Sequence, residues 1–161
     1  MLRVAVLLPI TFQRGGEFLA DVAALEAAGA YAELIEASDA ASLVVLGALA
    51  AATHRVQVGC VRQEAFSDEA RAALDRVSGG RAIVFARGEP PERLAVEGAE
   101  PAEAWIQIAM PVDRTAWRQA LAGHEAAGAA GLVVPWDPRV VDLLRNPDGD
   151  DDRSDLQMST G

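Results

Sequence analysis

Short, nearly continuous apolar runs alternate with stretches of helical periodicity along most of the chain. The runs occupy residues 3–8, 31–36, 56–60, 81–86, 104–109 and 132–135. Runs of this length with no alternation of polar positions read as parallel strands covered on both faces. The helical stretches are 17–28, 40–53, 64–77, 114–127 and 138–145. In the third of these, Phe66, Ala70, Ala73, Leu74 and Val77 keep helical spacing, as do Trp117, Ala120, Leu121 and His124 in the fourth. The joints repeat as well. Glu26-Ala27-Ala28-Gly29-Ala30 precedes one run, Glu125-Ala126-Ala127-Gly128-Ala129 another, and Ser78-Gly79-Gly80 a third. Glycine there suits a left-handed helix C-cap. The first joints are spaced by about 25 residues, one short strand–helix unit.

The alternation predicts an α/β fold of parallel βα repeats with six strands. It weakens between the fourth and fifth. Gly88-Glu89-Pro90-Pro91-Glu92 is a turn, residues 93–96 read as one short helical turn, and 98–101 as a loop. Residues 1–145 read as a single domain. Residues 146–161 carry five Asp and one Arg with few apolar side chains, and are expected to form an acidic, mobile tail.

Four blocks resemble the luciferase-like flavin-dependent oxidoreductases. Leu25-Glu26-Ala27-Ala28-Gly29-Ala30 is similar to the first helix-to-strand joint of that family. The segment from Leu46 to Gly59 is similar to its "LAALAAATxRIRLG" stretch, and Ala73-Leu74-Asp75-Arg76-Val77-Ser78-Gly79-Gly80-Arg81 to its "TLDRLSGGR". Ala127-Gly128-Ala129-Ala130-Gly131-Leu132-Val133-Val134-Pro135 resembles a late "GATGVLVP" strand. The resemblance implies a truncated TIM-barrel-like architecture and a coenzyme, flavin mononucleotide or a deazaflavin, at the strand C-terminal ends. The implied chemistry is oxidation by reduced flavin and dioxygen, or hydride transfer. The chain departs from the family in supplying six units rather than eight, in lacking the long segment after strand four, and in having no His after strand two.

Composition narrows the chemistry. Acidic residues outnumber basic ones 24 to 14, for a formal charge of −10, which argues against a nucleic-acid partner. All 14 basic residues are Arg, so lysine Schiff-base and P-loop lysine chemistry are excluded. The single Cys cannot form an internal disulfide, and residues 1–9 show no signal-peptide pattern; a cytoplasmic location is the expectation. The longest apolar stretch, 40–53, falls short of the roughly 20 residues that span a bilayer, so no membrane partner is expected.

In a parallel βα fold, ligands sit at the strand C-terminal ends. The loops expected there contain the candidates. Glu36 and Asp39 follow strand two and are candidates for acid–base work; Asp39 reads equally as an N-cap for the helix beginning at Ala40. Arg14, Gly15 and Gly16 combine a guanidinium with a helix N-terminus, the makings of an anion site or of an ordinary surface loop. Arg62 and Arg87, the latter followed by Gly88, occupy equivalent positions after strands three and four. These Arg either receive a flavin phosphate or pair with Glu64, Glu89 and Glu92. Trp136 follows strand six, where it stacks on a flavin ring or forms a dimer contact. Asp137 before Pro138 reads as an N-cap followed by a proline at the first helical position. His54 falls on the opposite face, His124 on a helix stripe, and Cys60 reads as a small buried hydrophobe. No metal set has workable spacing. The expected function is an oxidoreductase acting on a small organic substrate with one of these coenzymes. The alternative is a non-catalytic relative acting as a dimeric binding or structural protein. An open six-strand sheet leaves edges that need covering, which predicts a homodimer built on an edge or on the gap left by missing units.

Overall fold

The apolar runs are strands and the periodic stretches are helices, with ends shifted by a few residues. The structure, a computed structural model, describes residues 2–10, 15–63 and 66–147. In chain order the elements are β1 (Arg3–Leu7), α1 (Gly15–Ala28), β2 (Ala32–Ala37), α2 (Ala40–Ala52), β3 (Gln57–Arg62), α3 (Asp68–Ser78), β4 (Ala82–Arg87), β5 (Arg93–Val96), β6 (Ala104–Gln107), α4 (Arg114–Ala126), β7 (Gly131–Pro135) and α5 (Arg139–Arg145). Among the described residues no helix is long and apolar enough to cross a membrane. Most of the expected tail, residues 148–161, lies outside the described residues.

The architecture departs from the expected six-strand, truncated TIM-barrel-like set of parallel repeats. It is a closed, mixed barrel of seven strands in the order β1 to β7, with β7 pairing back onto β1. The difference is the segment 93–96. Read as a helical turn, it is strand β5, antiparallel to both β4 and β6. Two contacts fold it back on β4: the Gly88 N–H donates to the Arg93 carbonyl at 2.8 Å, and the Arg93 N–H to the Pro90 carbonyl at 2.9 Å. An antiparallel return needs only a few loop residues, whereas a parallel crossover needs a dozen or more. Five residues, 88–92, join Arg87 to Arg93, too few for a parallel crossover but enough for a hairpin. The remaining pairs, β1–β2, β2–β3, β3–β4, β6–β7 and β7–β1, are parallel.

Alternation along each strand divides the core into two layers. Leu34, Val61, Phe85, Leu94, Trp105 and Val133 fill the barrel interior. Their alternates, such as Ile35, Cys60, Val84 and Val134, face the helices. Seven strands leave a narrow lumen, and two glycines make it possible. A Cβ at Gly59 would lie 1.6 Å from the Ile83 carbonyl oxygen, and one at Gly131 2.3 Å from the Trp105 ring. Trp105, fully buried, meets Phe85 edge-on at 5.1 Å and Tyr31 at 5.4 Å. Arg3 lies over both the Tyr31 and Trp105 rings and pairs with Glu103 at 2.8 Å, closing the N-terminal end of the barrel.

The repeated joints turn out to be fasteners at that same end. Glu26 Oε1 accepts three successive backbone N–H groups, from His54, Arg55 and Val56, at 2.6–3.1 Å. The Arg81 guanidinium donates to the carbonyls of Ala50, Thr53 and Val56 at 2.8–3.0 Å. Together they satisfy the orphan groups where α2 turns into β3. Gly79, at φ +67°, ends α3 in the left-handed region just before Arg81.

Candidate functional site

Six strands share one direction, so their C-terminal ends form one mouth. Inward-facing positions at that mouth come from register. Glu36 pairs with Val61, Arg87 with Leu94 and Gln107 with Val133, each partner pointing into the barrel. The mouth therefore places a carboxylate, a guanidinium and an amide on one face. Arg87 Nη2 donates to Glu36 Oε1 at 2.5 Å, and Nη1 donates to Gln107 Oε1 at 3.1 Å and to the Pro91 carbonyl at 3.4 Å. The ion pair is open to water, with 33% of the Arg87 and 46% of the Glu36 side chain exposed. Such a pair contributes about 0–1 kcal/mol to stability. Beside it lies a groove of about 380 Å³ lined by Arg87, Pro91, Glu92, Gln107, Ile108 and Pro135.

The other sequence candidates lie elsewhere. Asp39 caps α2: it accepts from the Ser42 N–H at 2.9 Å and the Ser42 hydroxyl at 2.8 Å. The Ser42 backbone N–H holds its carboxyl below the usual range. Arg62 faces outward and is engaged by Glu97 at 2.8 Å and Asp68 at 3.0 Å, so it does not join Arg87. Its expected partner Glu64 lies outside the described residues, as does Arg14. Gly15 opens α1, where a Cβ would meet nothing. The Gly88 N–H is spent within the hairpin. Trp136 donates its backbone N–H to the Leu7 carbonyl at 2.8 Å, while its half-buried side chain packs in the outer layer against the helices. Asp137 accepts from the Arg139 N–H at 2.9 Å, and the Arg139 side chain holds its carboxyl low. Cys60 is buried, and that burial pushes its thiol up to about 12, which leaves no thiolate at neutral pH. His54 is exposed at the opposite end and His124 is half-buried on α4. Among the described residues no group of three or more His, Cys, Asp or Glu could hold a metal ion.

Sequence reading missed Gln107. Its signal was present: in Trp105-Ile106-Gln107 the side chains alternate, so a polar residue two beyond a buried Trp faces the same way at the strand's end. No protein-family model, curated protein or solved structure matches the chain.

Proposed function

We propose that the protein binds a flavin-type coenzyme, flavin mononucleotide or a deazaflavin, at the C-terminal mouth and works as an oxidoreductase on a small organic substrate. The observation that supports this is the inward-facing set Glu36, Arg87 and Gln107 beside an open groove. The fit to a coenzyme phosphate rests on Arg87, because Arg62 is engaged by two carboxylates. The groove volume falls in the usual range for small-molecule sites, roughly 300–1,000 Å³. The coenzyme, when bound, supplies the redox chemistry; the chain supplies charge and orientation. Arg87 exchanges Glu36 for the phosphate, Gln107 keeps the guanidinium aimed into the mouth, and the released Glu36 is the acid–base group within reach of substrate.

Absorption titration with each coenzyme tests the reading. Saturable spectral shifts, weakened about tenfold in Arg87→Ala, are expected, a loss of about 1.4 kcal/mol. Unchanged spectra for both coenzymes at high micromolar protein overturn it. A second reading, a non-catalytic dimeric protein, is favoured by one observation. Helix α2 contains no charged residue, yet Val44 is 75% and Leu43 40% exposed.

A further inference from the structure

A larger cavity lies at the other end of the barrel, beneath the N-terminal ends of β1 and β3. It is a half-open pocket of about 600 Å³ between the last turn of α1, the middle of α4 and the end of α5. Its walls are apolar, including Leu2, Val4, Val56, Leu121 and Leu143. Water in such a space makes poor hydrogen bonds, and its displacement by an apolar body is favourable.

Charge at the rim is asymmetric. Three charged residues line the cavity: Arg3, Glu26 and Arg55. Arg3 is committed to Glu103 at 2.8 Å. Glu26 Oε1 already holds the three N–H groups of the His54–Val56 turn, which keep its carboxyl low against the opposing effect of burial. Arg55 is near enough to Glu26 to feel its charge, but its exposed guanidinium makes no ion pair among the described residues. The rim of an apolar cavity, in a chain of net charge −10, thus presents one cation with no ion-pair partner among the described residues.

We propose that this cavity binds a small amphiphile with an apolar body and one anionic head, of the medium-chain carboxylate class, its head on Arg55. Gln57, also on the rim, offers an amide donor to the same head. The apolar body lies between Leu121 and Leu143 below. This site is separate from the mouth, so its occupancy does not depend on the reading of Arg87.

Decanoate is the probe, titrated into the full chain by isothermal titration calorimetry, with decanol as the uncharged control. The proposal expects saturable one-to-one binding with a negative heat-capacity change, the mark of apolar burial. Decanol and the Arg55→Glu variant bind about tenfold more weakly, and Arg87→Ala binds as the unaltered chain does. Ala27→Trp, which places bulk at the cavity edge from an exposed position of α1, abolishes binding while the melting temperature of the free protein stays put. Three results overturn the proposal. One is the absence of saturable binding at millimolar decanoate. The second is equal affinity for Arg55→Glu. The third concerns the residues that follow Pro147, Pro147 being part of the cavity lining. If the double variant Leu156→Asp, Met158→Asp binds decanoate tenfold more tightly, the cavity belongs to the chain's own C-terminal segment.

Discussion

Glu33 is the residue most at odds with its surroundings. It is completely buried on β2, and neither carboxylate oxygen has a hydrogen-bond partner. Burial pushes its carboxyl up to about 8, helped by the charge of Glu26 and opposed by Arg81. The folded value therefore lies above the unfolded one. Between pH 4.5 and about 8 the native state holds a proton that the unfolded chain releases. Stability associated with Glu33 is fully present below pH 4.5, declines as pH rises through that window, and is gone above it. The shift amounts to at most about 5 kcal/mol at 1.36 kcal/mol per unit. Replacing the carboxylate with an apolar side chain of similar length removes the dependence. Glu33→Met is expected to melt of order 10 °C higher than the unaltered chain at pH 9, with the gap narrowing sharply by pH 5. Thermal melts at the two pH values check this; parallel curves would sink it.

At the scale of elements, β5 decides the architecture, and it tests cleanly. Leu94 is 2% exposed in the barrel interior, in register with Arg87 on one side and Trp105 on the other. Leu94→Ala is expected to cost about 2–5 kcal/mol in urea unfolding, the range for a buried leucine. A residue on a surface helical turn would cost within about 0.5 kcal/mol, so a value that small restores the discarded reading of this segment. The other strands were legible because each lies in a nearly continuous apolar run. Segment 93–96 is not: four residues, Arg93, Leu94, Ala95 and Val96, suit either period equally. What makes it a strand is non-local, the unpaired edges of β4 and β6 that it joins. The candidate site divides along the same line. Asp39 was legible as a cap, because capping is a local bond to Ser42. That Glu36 meets Arg87, fifty-one residues away, and that Arg62 turns instead to Glu97, depends on which face of the sheet each occupies after closure. The four family-like blocks are explained without reference to a ligand. Glu26, Gly59, Arg81 and Gly131, one in each block, serve the turns and the lumen.

For the whole molecule, closure moves the expected dimer contact. An interface on an open edge or a gap is no longer available, since β7 pairs back onto β1 and every strand has two neighbours. The surface that remains is helical. Leu43 and Val44 of α2, Val77 of α3 and Leu19 of α1 are 40–75% exposed. Leu43, Gly47, Ala73 and Val77 line a shallow groove between α2 and α3. A helix without charges on any side ordinarily has a partner on every side. Opposing this is electrostatics, because each copy carries a formal charge of −10 and two copies repel. The two effects respond to salt in opposite senses. Raising ionic strength from 0.01 to 0.1 M shortens the screening length from about 30 to about 10 Å, which weakens repulsion and leaves apolar contact intact. A dimer built on α2 should therefore tighten with salt, by about tenfold over that interval if repulsion costs about 1.4 kcal/mol. Val44→Glu should abolish it, because the contact would bury a carboxylate with no partner. Sedimentation equilibrium at both ionic strengths measures each effect. A dimer loosened by salt, or one untouched by Val44→Glu, places the interface on ion-paired surface elsewhere. A monomer under both conditions removes the dimeric reading altogether.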